Sequence, residues 1–144
     1  MFNADPDNRL SHWADFRNSL ELSKNPLKEV AVFWKQAPLI PYNAKIDPFY
    51  PVSWPTPWEI IVENKYDDFT LSVMMGYSLL YTDRFKDSAI TIKTLVDDEH
   101  NRLYNIVYID ETVVLNFSDG EVISADNVPS LYRLENMVTL TRPR

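Results

Sequence analysis

Apolar positions fall into two regimes along this chain, spaced by three and four in the first half and alternating in the second. Leu10, Trp13, Ala14, Phe16 and Leu20 follow helical spacing and predict an amphipathic helix capped by Asp7 or Asn8. Asn25-Pro26 ends that helix and opens another, with Leu27, Val30, Ala31 and Trp34 as its stripe and Pro38 as its close. Thr56-Pro57-Trp58-Glu59 fits a capping box, in which hydroxyl and carboxylate each satisfy an amide left free at the helix start. Ile60, Ile61 and Val62 continue this short helix to about Asn64. Asp67 or Asp68 then begins a helix whose Phe69, Leu71, Val73, Met74, Met75, Tyr77, Leu79 and Leu80 are apolar nearly all round. Such a helix belongs in the middle of a domain.

After Asp87 the period becomes two. Ile90, Ile92 and Val96 alternate with Thr91, Lys93 and Leu95. Leu103 to Ile109 is apolar on both faces except at Asn105, as suits a central strand. Asp110-Glu111 and Ser118-Asp119-Gly120 read as turns between Thr112–Phe117 and Glu121–Ser124, and Met137 to Thr141 predicts a last strand. The order predicts a single α+β domain over 1–144: a helical arm at 1–37, a strap at 38–57, and a central buried helix with an antiparallel meander at 58–144. Six of the ten prolines lie in the strap, interleaved with Tyr42, Phe49, Tyr50 and Trp54. Rings of that size are costly to leave in water, so the strap is expected to pack onto the domain through them or to offer them to a partner.

Charge and composition remove several function classes. The net charge of −7 argues against nucleic-acid binding, which needs a basic face. The acidity is concentrated: Asp97 to Asn127 holds eight acidic residues, with Arg102 the one basic residue. That stretch reads as a solvated strand face, or as a surface for a basic partner. The chain has no cysteine, which removes disulfides, thiolate metal sites and a thiol nucleophile. Gly76 and Gly120 are the only glycines, so there is no glycine-rich phosphate loop. No secretory signal or spanning apolar segment is read, and the expected location is the cytoplasm of the producing cell, or a virion. His12 and His100 cannot build a histidine-rich zinc site, and Asp97-Asp98-Glu99-His100 lacks the calcium-loop spacing and glycine. No metal or cofactor is expected. No Gly-x-Ser-x-Gly elbow is present, and Trp54 and Trp58 read as core aromatics before a binding platform.

Tyr66-Asp67-Asp68-Phe69 opening a central helix, followed by a hairpin-rich sheet containing Val114-Leu115-Asn116-Phe117-Ser118-Asp119, resembles the transglutaminase-like branch of the papain-fold superfamily. The resemblance covers about Trp58 to Leu134. It implies a helix that starts Cys-(Asp/Glu)-Asp-(Phe/Tyr), a histidine on the next strand pair and a polar residue on the strand after. Tyr66 stands in the nucleophile's place, and a phenol of pKa ~10 is weakly ionised at neutral pH. The implied histidine falls near Arg102 or Leu103, where there is none; His100 lies in a turn nearby. The resemblance therefore implies a catalytically dead member, with Tyr66, Asp68, His100 and Asn116 as remnants of a site. Asp67 and Asp68 have a simpler role as well, since carboxylates favour helix starts.

The chain also resembles, in its acidic, cysteine-free style and its Trp-Pro-Thr-Pro-Trp-Glu segment, small proteins of tailed bacteriophages. The expected function is accordingly a non-catalytic structural or interaction component of a phage virion. It would contact other protein subunits in a homo- or hetero-oligomer, with no nucleic acid or membrane, through Tyr42, Phe49, Tyr50 and Trp54. One alternative is a hydrolase of the same fold that uses carboxylates with His100. Another is an acidic inhibitor or adaptor of a basic partner.

Overall fold

The structure is a computed structural model and describes residues 1–142. Four helices, α1 (Pro6–Leu20), α2 (Pro26–Lys35), α3 (Pro57–Glu63) and α4 (Asp68–Leu80), precede five strands. These are β1 (Ile90–Asp97), β2 (Arg102–Ile109), β3 (Val113–Leu115), β4 (Ile123–Ser124) and β5 (Arg133–Thr139). The class is α+β, as the change of period predicts. Strands β1 to β4 form an antiparallel meander, and β5 returns to the far side of β1, giving the order β4-β3-β2-β1-β5.

Helix α4 is the axis of the molecule. All of its residues from Phe69 to Leu80 are buried, with α1 and α2 packed on it and strands β1 and β2 against another side. Its one glycine permits the approach of the sheet: a Cβ on Gly76 would lie 2.5 Å from Leu140 Cδ1 and 2.9 Å from Ile90 Cγ2. One polar hub links three of the helices. The Ser78 hydroxyl accepts from the indole N–H of Trp13 at 3.0 Å and of Trp34 at 2.9 Å, and donates to the Met74 carbonyl at 2.7 Å. Burying two indoles requires partners for both N–H groups, and one serine supplies them.

The helix starts follow the capping chemistry. The Thr56–Glu59 capping box forms, and Asn64 ends α3 in the left-handed region at φ 58°. The first helix begins earlier than its apolar spacing implies. Asp5 caps it, accepting from the Asn8 amide at 2.9 Å, because Pro6 occupies the first helical position where no N–H is needed.

The strap departs from expectation. Tyr42, Phe49 and Tyr50 are exposed, and of the four rings only Trp54 packs inward, edge-on to Phe69 at 5.6 Å. Main-chain bonds hold the segment instead. The Ile40 amide donates to the Tyr66 carbonyl at 2.8 Å, and the Asn43 amide to Asp67 Oδ2 at 2.9 Å. The buried Ile46 supplies the apolar anchor. Prolines fix the strap's path, and of its four rings only Trp54 adds to the attachment.

Both faces of the sheet are covered. Ile90, Ile92, Val107, Ile109 and Leu115 join the helical core. Leu95, Ile106, Tyr108 and Val114 face the other way, beneath Tyr104, Phe117, Val128 and Tyr132. Strand β3 reaches only Val107 to Ile109 of β2, so the Arg102–Ile106 half of β2 has no strand on that side. That open edge borders the candidate site.

Candidate active site

The site is built where the start of α4 meets β2 and the end of β3. Asp67 is the N-cap and points inward. Its Oδ1 accepts from the Thr70 amide at 2.8 Å and the Thr70 hydroxyl at 2.6 Å, while Oδ2 holds the strap at Asn43. With Asp67 committed to the cap, the next residue is turned outward, and the Asp68 carboxylate is exposed toward the strands. Asn105 Nδ2 donates to Asp68 Oδ2 at 2.9 Å, and Asn116 Nδ2 approaches Asp68 Oδ1 at 3.3 Å. Asn116 Nδ2 also donates to the Asn105 carbonyl at 2.9 Å, and the Thr94 hydroxyl donates to Asn105 Oδ1 at 2.8 Å. Thr94 and Asn105 are cross-strand partners, so the register of β1 on β2 sets this contact.

Asn116 takes up a left-handed backbone, φ 64°, immediately after β3. Asparagine tolerates that conformation better than most residues, and here it turns the amide back toward Asp68. The cluster opens into a cleft of about 400 Å³, bordered by Pro41, Phe69, Arg102, Leu103, Tyr104, Phe117 and Asp119. The three elements that meet here are the ones the transglutaminase-like resemblance nominates: helix start, next strand, following strand.

The candidate residues divide. Asp68 and Asn116 come together. Tyr66 is fully buried behind them, between Phe2 at 5.8 Å and Trp34 at 5.4 Å, and is turned away from the cleft. Its hydroxyl has no hydrogen-bond partner among the described residues, and burial pushes the phenol far above its usual range. His100 lies in the turn between β1 and β2, its Nδ1 2.8 Å from Asp97 Oδ2, and does not line the cleft. Burial pushes the Asp97 carboxyl up, but hydrogen bonds from His100 outweigh it and hold the group below the usual carboxylate range. His100 is thus held by Asp97 outside the cleft that Asp68, Asn105 and Asn116 open into. Asn105 is the residue the sequence reading passed over, although its signal was present: it is the one strongly polar position in an otherwise apolar central strand.

No family model matches the chain, and no curated protein matches it. Solved structures do. Legionella pneumophila LapG is similar over 92% of this chain and 73% of its own, with a TM-score of 0.69 and 18% identity. An EGTA-treated LapG gives the same TM-score of 0.69 at 18% identity. A calcium-bound LapG gives 0.64 at 17% identity, over 92% of this chain and 75% of its own.

The chain therefore shares the fold of LapG. This corrects the expectation of a non-catalytic component of a phage particle, since likeness to LapG favours the hydrolase alternative at the level of fold. With no cysteine in the chain, any such chemistry runs without a thiol. Among the described residues no three Asp, Glu, His or Cys side chains converge in a way that could hold a metal ion. No helix among the described residues is long and apolar enough to cross a membrane.

Proposed function

We propose that the protein is a hydrolase of amide bonds in extended polypeptides, with Asp68 as the general base that activates water. The observation that carries this reading is the Asp68–Asn105–Asn116 cluster, a carboxylate held by one amide on each oxygen at the mouth of a cleft. An ionised carboxylate offers about four acceptor sites. Two are occupied by the asparagines, which orient the group and leave the others for water.

The step follows from that geometry. Asp68 takes a proton from water as the oxygen attacks the carbonyl carbon of the substrate amide. Charge develops on the carbonyl oxygen, and the unpaired N–H groups in the first turn of α4, with the helix dipole, meet it. Collapse of the tetrahedral species breaks the C–N bond, and Asp68 returns the proton to the departing nitrogen. The open edge of β2 at Arg102–Ile106 supports a polypeptide substrate, because an extended segment can add to it by main-chain hydrogen bonds.

Hydrolysis of a mixed library of blocked peptides, read by mass spectrometry, tests the reading. Wild-type protein is expected to cleave members of the library and to be indifferent to iodoacetamide. Asp68→Asn keeps the shape and removes the base, and should lower turnover about 10²–10⁴-fold with the circular dichroism unchanged. Full activity in Asp68→Asn, or no cleavage by the wild-type protein, would sink the assignment.

A further inference from the structure

We infer that Arg102 determines the specificity of the cleft, by selecting a ligand that carries a carboxylate. The surrounding charge makes this arginine unusual. Among the described residues it is the only cation lining the cleft, and it is the only Lys or Arg in the acidic stretch from Asp97 to Asn127. Its cross-strand partner is Asp97, the natural candidate for an ion pair, yet Asp97 is bound to His100 instead. Arg9, Arg84, Arg133 and Arg142 all donate to main-chain carbonyls or to Asp98, and Arg17, over Trp13 at 4.2 Å, does not line the cleft. The Arg102 guanidinium donates to no side chain or carbonyl among the described residues.

What holds it is a ring. The guanidinium carbon lies 4.7 Å from the centroid of Tyr104, which is itself stacked on Tyr132 at 5.3 Å. A guanidinium drawn to a ring in this way keeps its N–H groups available to a ligand. That fork of donors matches a carboxylate with two parallel hydrogen bonds. Carboxylates are already present in the cleft at Asp68 and Asp119, so an acidic ligand group is tolerated only at the Arg102 end. The carboxylate can belong to an Asp or Glu side chain or to a polypeptide C-terminus. That the ligand is also a substrate rests on the hydrolase reading; the binding preference does not.

Calorimetric titration with three sets of short peptides separates these points. One set is blocked at both ends and carries Glu at successive positions. The second is identical with Gln, and the third has Gln with a free C-terminal carboxylate. A carboxylate-bearing peptide is expected to bind wild-type protein about tenfold more tightly than its neutral match, since charged hydrogen bonds are the stronger kind. Preference for the first set identifies a side chain, and preference for the third a chain end. Arg102→Gln, an exposed substitution, should reduce the preference to within about twofold, and Arg102→Lys should restore only part of it. Equal binding of acidic and neutral peptides, no binding at all, or a preference that survives Arg102→Gln overturns the inference. Turnover on the same peptides reports separately on the hydrolase: intact preference without cleavage sinks catalysis and leaves Arg102 its role. Where cleavage occurs, Arg102→Gln should raise KM for acidic peptides and leave kcat unchanged.

Discussion

Single side chains in this protein serve several masters, and Ser78 is the clearest case. Two buried indoles depend on one hydroxyl. Ser78→Ala strands both N–H groups without a partner, and the gain in helix propensity is only a few tenths of a kcal/mol. We expect a loss of about 2–4 kcal/mol, read as a shift of the urea midpoint at constant slope. Asp67 is similar, since one carboxylate caps α4 and also ties down the strap at Asn43. Asp67→Ala should cost about 2–3 kcal/mol, more than a cap alone, and proteolysis should then begin in the strap. At this scale the sequence was half legible. A carboxylate at a helix start is visible in Tyr66-Asp67-Asp68-Phe69, but which of two adjacent acids points inward depends on the Thr70 hydroxyl and on a strap 24 residues upstream. The resemblance put Tyr66 in the nucleophile's place and Asp68 among the remnants; the fold buries the first and presents the second to the strands.

Elements were more legible than residues wherever the signal was periodic. The all-apolar α4, the capping box at Thr56 and the alternation of β1 each specify their own conformation, because burial on a known face leaves few options. The strap and β5 were less so. Aromatic rings among prolines suggested inward packing, yet the strap is anchored by amides, which composition does not reveal. A last strand was expected over Met137–Thr141, whereas β5 runs over Arg133–Thr139, and its pairing with β1 is a long-range choice that no local pattern encodes. The joint between α4 and the sheet provides a test. Gly→Ala in a helix usually stabilises by up to about 1 kcal/mol. At Gly76 the new methyl would meet Leu140 and Ile90 well inside contact distance, so the sign should reverse. A net loss of about 1–3 kcal/mol is expected for Gly76→Ala by thermal or urea unfolding. A stabilised variant would mean that the helix and sheet can part without penalty.

For the whole molecule, the aromatic core sets an alkaline limit. Burial raises the Tyr77 phenol to about 12, with Tyr81 adding to the shift, and it pushes Tyr66 higher still. A group whose folded pKa is raised loses its proton first in the unfolded chain. The stability it protects is complete below pH ~10, the unfolded value, and falls as pH rises from there toward about 12. Ultraviolet titration should therefore show these phenols ionising together with unfolding, and Tyr77→Phe should flatten the alkaline decline. The turn that carries residues 66 and 68 has a further use for the experimenter. The native chain offers no sulfhydryl, so one introduced cysteine would be the sole target of an alkylating probe. Placed at 68 it would stand in solvent beside two amides at the start of a helix, where a thiolate is favoured, and would label fast. Placed at 66 it would lie where nothing reaches, and would label only as fast as the protein opens. Two positions, separated by a single residue, thus form a matched pair of clocks, one for the cleft and one for the fold.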